Sequence, residues 1–224
     1  MNHYLESWAN KELMAELEQG VINAPNDLLG CHIYKEEQVQ IFTAYRPCAK
    51  AIRLCNGKGK VVQEMEPMPV DGLFGTVIET RSKWLKEYSF EVEYGPDDII
   101  SVKDPYGYKG SDFDCYVFGE GKNYRIFDHL GAHIEKHKGV SGVRFAVWAP
   151  HARSVSVVGD FNMWDGRLHK MVLHGPSGVY ELFIPGVSEG AVYKYEITTR
   201  DGERLYKTDP YGNYAELRPG NASR

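Results

Sequence analysis

The chain repeats itself, and that constrains its fold more than any other feature of the sequence. Asp104-Pro105-Tyr106-Gly107 recurs 105 positions later as Asp209-Pro210-Tyr211-Gly212. Leu29-Gly30-Cys31-His32 recurs 101 positions later as Leu130-Gly131-Ala132-His133. Between these landmarks, Phe42-Thr43-Ala44-Tyr45-Arg46-Pro47 aligns with Phe145-Ala146-Val147-Trp148-Ala149-Pro150, and Gly72-Leu73-Phe74 with Gly178-Val179-Tyr180. Tyr88-Ser89-Phe90-Glu91 then matches Tyr193-Lys194-Tyr195-Glu196. The five landmarks keep their order while the offset stays between 101 and 106. A period of that length is one small domain, not a solenoid unit. The 224 residues are therefore expected to use one fold twice.

Each copy reads as short strands with alternating polarity. In the second, Val143, Phe145 and Val147 face one way, as do Val155 and Val157, then Tyr180, Leu182 and Ile184. Tyr193, Tyr195 and Ile197 form a further inward row that leaves Lys194 and Glu196 outward. Turn signals at Ala149-Pro150, Gly175-Pro176-Ser177-Gly178, Pro185-Gly186 and Asp201-Gly202 separate them. This pattern predicts an all-β chain of two tandem immunoglobulin-like β-sandwiches with a short N-terminal helix. The helix is expected within residues 1–23, where Leu5, Trp8, Ala9, Leu13 and Leu17 make an apolar stripe ending at Gly20, packed on the first sandwich. The sandwiches are placed at 24–110 and 128–224, with 111–127 as linker.

Composition removes several function classes. A net charge of −5 lacks the basic footprint of a nucleic-acid binder. No apolar run is long enough to cross a bilayer, and the N-terminus has no signal-peptide core, so no membrane partner and a cytoplasmic location are expected. Cys31, Cys48, Cys55 and Cys115 form no C-x-x-C pair, which reads as reduced thiols without a metal or redox site. His129, His133 and His137 are spaced four apart, but Gly131 interrupts any helix there and Leu-Gly-x-His belongs to the repeat. No metal or cofactor is expected.

The chemistry concentrates in Gly159-Asp160-Phe161-Asn162-Met163-Trp164-Asp165-Gly166-Arg167, at the end of a predicted strand. An indole on a loop either packs or offers a flat apolar face to a partner. The C–H face of a glucose ring suits that surface. The Asn162 amide and the Lys194 ammonium can bond the rim of hydroxyls. Asp160 and Asp165 read as turn formers rather than as a pair of catalytic carboxylates. In the first copy, Lys194 becomes Ser89, Tyr206 becomes Ser101, and Trp164 falls in the Asn56-Gly57-Lys58-Gly59 turn. Core positions survive duplication and the candidate binding residues do not, as expected if the second copy binds and the first is scaffold.

These residues carry a resemblance. Val143 to Pro150, the loop from Gly159 to Arg167, Tyr193-Lys194-Tyr195 and Asp209-Pro210-Tyr211 resemble a carbohydrate-binding module of family 48, found in α-glucan-active enzymes and in the β subunit of AMP-activated kinase. With the degenerate copy ahead of it, the chain looks like the N-terminal region of bacterial 1,4-α-glucan branching enzymes. The resemblance implies glucan stacked on Trp164 and on an aromatic at Tyr206, with Lys194 bonding the sugar. It finds no match after Asp209 for the kinase module's ligand-capping Leu and Asn loop. It implies α-1,4-glucan or glycogen as partner, and transfer of chain segments into α-1,6 branches by a (β/α)8 domain of the parent protein. A barrel of that kind takes roughly 250 residues, and the two repeats use up this chain, so no catalytic residue is named. A stand-alone glycogen-binding protein like the kinase subunit, or the front end of a debranching-type enzyme, is the alternative.

Overall fold

The computed structural model describes residues 3–80, 83–108, 110–111 and 113–224. Met1 and Asn2 of the expected helix, and Asp112 of the expected linker, lie outside them. The chain forms two compact units, one of residues 1–18 and 26–107, the other of 19–25 and 108–224.

In the first unit, strands β1 (Gly30–Tyr34), β2 (Val39–Tyr45), β5 (Glu66–Pro67) and β6 (Leu73–Glu79) form one sheet in the order β1-β2-β6-β5. Strands β3 (Ala51–Asn56), β4 (Val61–Glu64), β7 (Tyr88–Gly95) and β8 (Asp98–Val102) form the other, ordered β4-β3-β7-β8. Phe42, Ala44, Ile52, Leu54, Phe90 and Val92 meet in the core. In the second unit, β9 (Gly131–His137), β10 (Val140–Trp148), β12 (Val172–Leu173) and β13 (Val179–Pro185) give the order β12-β13-β10-β9. Its other sheet is β11 (Ala152–Gly159), β14 (Tyr193–Thr199) and β15 (Arg204–Lys207), ordered β11-β14-β15. Every pairing of these strands is antiparallel. The core order β1-β2-β6 and β3-β7-β8 recurs as β9-β10-β13 and β11-β14-β15, so the predicted all-β pair of sandwiches is what the chain forms.

The sequence landmarks are contacts. Gly30 and Gly131 both sit at positive φ, +105° and +107°. A Cβ there would lie 3.2 Å from Tyr106 and 3.1 Å from the carbonyl oxygen of Tyr211, so the Leu-Gly-x-His and Asp-Pro-Tyr-Gly motifs hold one another. The amide of Arg46 donates to the carbonyl of Gly72, and that of Ala149 to Gly178, which joins the next two landmarks in each copy. Tyr88 donates its hydroxyl to Asp104 at 2.5 Å, and Tyr193 to Asp209 at 2.7 Å, which joins the last two.

The N-terminal stripe was expected as one helix and forms two, α1 (His3–Trp8) and α2 (Lys11–Gln19). Asn10 breaks it: its side-chain oxygen accepts from the amides of Glu12 and Leu13, an N-cap that starts a new helix. Leu5 of α1 packs on Val39, Ile41 and Val77 of the first unit, as the stripe required.

Residues 113–128 are built onto the second unit. Asp114 caps α3 (Cys115–Gly119), and Phe113, Phe118 and Ile126 cover Leu130, Ala146 and Val179. Beneath them Glu181 is buried and accepts from the amide and hydroxyl of Ser111 at 2.7 and 2.5 Å, with His129 Nε2 at 3.2 Å. Burial acts to raise its pKa, but the nearby His129 and His174 rings and the hydrogen bonds from Ser111 prevail and hold it well below the usual carboxylate range. The histidines spaced by four are not on one helix: His129 stacks on Phe113, while His133 and His137 lie on β9.

Asp104 titrates the other way. Burial pushes its pKa up to about 6, against the hydrogen bonds from Tyr88 and Tyr106 and the charge of Arg46. A carboxyl whose folded pKa is raised contributes stability below its unfolded pKa and loses it as pH rises through the folded one. The first unit should therefore lose up to about 3 kcal/mol from this group between pH 4 and 6. His32, whose pKa is lowered by burial, has the opposite sign. The difference between wild type and Asp104→Asn in urea unfolding isolates the carboxyl, and a difference that is flat or rises with pH contradicts this assignment.

Candidate functional site

The candidate face is built on the β11-β14-β15 sheet, where alternation does the positioning. Tyr193 and Tyr195 point into the core, so Lys194 between them points out. Register places Lys194 opposite Val158 and Tyr206 opposite Glu196. Lys194 and Tyr206 thus share a face.

The loop that leaves β11 closes over this face. In the first copy β3 turns through Asn56-Gly57-Lys58-Gly59 directly into β4. In the second, the chain makes a helical turn at Asp160–Asn162, and Met163 and Trp164 follow at φ of +54° and +60°. Trp164 is 36% exposed, its amide donates to the Gly159 carbonyl, and its indole Nε1 donates to Asp160 Oδ1 at 2.9 Å. With its N–H satisfied inside the loop, what remains for a partner is ring surface. Asp165 holds Arg167 in a bidentate pair, which lowers the Asp165 pKa. Asp160 and Asp165 are accordingly the loop's own fasteners.

Asn162 is corrected by the structure. It was expected to bond a sugar hydroxyl, but it is 3% exposed. Its oxygen accepts from the amide of Gly159 at 2.9 Å, and its nitrogen contacts Val157 O at 3.0 Å and His169 Nδ1 at 2.9 Å. A turn whose backbone groups are cut off from the ladder needs a side chain to satisfy them, and Asn supplies both donor and acceptor. Asn162 shapes the loop and does not face solvent.

Glu196, expected outward, is also buried. Gly166 passes so close that a Cβ there would lie 2.3 Å from Glu196 Oε1. Lys170 is buried beside it, its pKa lowered to about 8 by burial against the opposing charge of Glu196. Tyr206 is 52% exposed and donates its hydroxyl to Glu196 Oε2 at 2.9 Å, so the edge of its ring is anchored while a face stays open.

One partner was missed. Lys194 Nζ donates to Asn221 Oδ1, and Thr208 Oγ1 donates to Asn221 O at 2.7 Å. Residues 215–223 fold back on the sheet edge, with Tyr193 and Ser223 exchanging backbone hydrogen bonds. No local pattern in Arg218-Pro219-Gly220-Asn221 announces that return. Lys194, Tyr206 and the Asn221 amide thus stand together on one side of the sheet, and the loop that carries Trp164 passes over the same side at Gly166.

Comparison with known proteins finds a family match for each unit. Residues 129–212 match the family described as carbohydrate-binding module 48 (isoamylase N-terminal domain). Residues 10–106 match the N-terminal domain of the alpha-1,4-glucan branching enzyme GlgB. In tandem, the two units match the GlgB N-terminal domain and carbohydrate-binding module 48, the N-terminal part of 1,4-alpha-glucan branching enzymes. The curated 1,4-alpha-glucan branching enzyme GlgB of Rubrobacter xylanophilus is 43% identical over 202 residues, 89% of this chain and 27% of that protein. The one from Synechocystis sp. is 40% identical over 221 residues, 96% of this chain and 28% of its own length. The Nitrosomonas europaea enzyme is 47% identical over 170 residues. The chain thus spans about a quarter of the branching enzymes it matches. Among solved structures, a pullulanase from Anoxybacillus sp. LM18-11 complexed with maltotriose aligns over 87% of this chain and 27% of its own, at 16% identity and a TM-score of 0.35, too low to carry an argument.

If Asn162 organises this loop, Asn162→Ala leaves the Gly159 N–H and the Val157 carbonyl buried and unpaired. Urea unfolding should show the second unit destabilised by on the order of 2–3 kcal/mol. Unchanged stability would mean the loop holds its shape without the amide.

Proposed function

We propose that the second unit binds α-1,4-glucan across the face formed by Trp164, Tyr206 and Lys194, and that in the whole protein it presents the glucan to a catalytic domain that transfers chain segments into α-1,6 branches of glycogen. The observation that carries this reading is that Lys194 and half-exposed Tyr206 share a sheet face, and that the loop carrying the partly exposed Trp164 passes over that face where Gly166 meets Glu196. A pyranose offers apolar C–H faces and hydroxyl edges. Ring surface takes the faces, and the Lys194 ammonium with the Asn221 amide takes the edges. Membership of this unit in a carbohydrate-binding family supports the ligand class. Among the described residues no helix is long and apolar enough to cross a membrane, and all four cysteines are free. Both suit work in a reducing cytoplasm.

The site is open rather than enclosed, which limits its strength. Titrating maltoheptaose into the chain by calorimetry should give a Kd of ~0.1–1 mM, about 4–5.5 kcal/mol. Trp164→Ala should remove on the order of 1–2 kcal/mol, since stacking area is lost. Lys194→Ala should cost roughly 0.5–1.5 kcal/mol, the net worth of one exposed hydrogen bond. Ser89→Ala in the first unit should leave this site unchanged. Unaltered binding in a folded Trp164→Ala protein would make the indole a packing residue, the role it would also have if it docks on a catalytic domain. Residues 1–224 alone should form no α-1,6 linkages from amylose above a buffer control, because every strand pairing here belongs to an antiparallel sandwich. Reproducible branching would refute the division of labour.

A further inference from the structure

The first unit, read from the sequence as scaffold, carries a groove of its own. It is an open cleft of about 430 Å³, inside the range of about 300–1,000 Å³ typical of small-molecule sites. Its walls are Tyr4, Trp8 and Tyr34, and its floor is Val39 and Ile41. Helix α1 creates it: Leu5 anchors the helix on Val39, Ile41 and Val77, and Tyr4 and Trp8 flank that contact with their remaining surface outward. The Trp8 indole lies 4.7 Å from the His32 ring, so its plane is set before any ligand arrives. Tyr34 ends β1 directly opposite Val39 and is 38% exposed. Ser7 and Glu37 stand at the rim.

The groove is not a by-product of the fold. Strand register matches the pair Tyr34–Val39 to Glu135–Gly142 in the second unit, and His32–Ile41 to His133–Arg144. There Arg144 Nε donates to Glu135 at 2.7 Å, and an ion pair stands where the first unit has an aromatic-walled cleft. The two copies have thus diverged into aromatic surface on different sheets: β1-β2 in the first, β14-β15 and its loop in the second.

The lining names the ligand chemistry. Among the described residues that line it, it offers three aromatic faces, hydroxyls and a single carboxylate, with no Lys or Arg. An anionic headgroup, nucleotide or acidic peptide would find no counter-charge among these residues. A neutral polyol, with C–H faces for the rings and hydroxyls for Ser7 and Glu37, fits throughout. We infer that this groove binds a short segment of α-1,4-glucan, a second contact for the ligand class assigned above to the second unit. The inference rests on that reading for its choice of sugar. Two modest sites on one polypeptide hold a long polymer better than either does alone.

The test is an amide chemical-shift titration of the 224-residue chain with maltoheptaose. The account expects shifts at residues 4–8 and 34–41 as well as at 159–166. Tyr34→Ala should weaken the isotherm at the groove at least about fivefold while leaving that at 159–166 unchanged. Trp164→Ala should do the reverse. Tyr34→Phe keeps the ring and should retain most of the groove's affinity, which separates lost stacking from a disturbed hairpin. Shifts at 159–166 with none at 4–8 and 34–41 overturn the groove and leave the second unit's site standing. Shifts confined to the groove keep this inference and remove the other. Groove signals that move with protein concentration in the absence of sugar would make it a contact between copies and overturn the proposal.

Discussion

A buried aspartate near the end of each repeat holds the sandwich together, and the candidate site depends on it. Asp209 is 6% exposed and accepts from the hydroxyls of Tyr193 and Tyr195 at 2.7 and 3.0 Å and from the amide of Tyr211 at 2.8 Å. A buried carboxylate left unpaired would be costly, so these donors are obligatory and not incidental. They tie Tyr193 and Tyr195 inward, and burial beside Asp209 pushes both phenols up. With its neighbours fixed inward, Lys194 has to face outward, because a strand alternates. The outward row of β14 is thereby set by a contact on the opposite face of the sheet.

The first copy keeps this tether in a poorer form. Asp104 accepts from one tyrosine and one amide, with buried Arg46 nearby. The second tyrosine hydroxyl is missing because Phe90 stands where Tyr195 does. Fewer donors leave desolvation in control, which is why burial raises Asp104. The duplication therefore preserved the mechanical element and relaxed its electrostatics, while the surface of each copy went its own way. The three antiparallel strands that each sheet shares with its counterpart tolerate that divergence, since loops between β3 and β4 or after β11 can lengthen without disturbing the core.

Much of the fold was legible in the sequence because it depends on pairwise rules. Glycine at positive φ beside a tyrosine, and alternating apolar residues, each leave a local trace, and the repeat doubled every trace. The two-sandwich architecture and the inward rows of the second unit followed from these. What was not legible depends on tertiary context. Apolar periodicity runs straight through Asn10, and only the cap geometry shows that the helix restarts there. Asn162 and Glu196 are polar residues beside exposed ones; alternation assigned Glu196 to solvent, and its amide on a loop did the same for Asn162. They are buried because the loop between β11 and β12, residues 160–171, folds back over the sheet, which no short-range pattern encodes. Asn221 reaches Lys194 from 27 positions away. Trp164 was singled out by residue type and Tyr206 by the family resemblance, and the structure adds that each has its polar atom occupied and is partly exposed.

The central claim is that ring surface on the second unit receives the sugar. Intermolecular nuclear Overhauser contacts between maltoheptaose and the chain, labelled on aromatic side chains, test it most directly. The account predicts contacts from pyranose C–H protons to the ring protons of Trp164 and Tyr206, with hydroxyl-bearing edges nearest Lys194. Sugar contacts that bypass both rings, or that appear only at other aromatics of the second unit such as Trp148 or Tyr214, would contradict it.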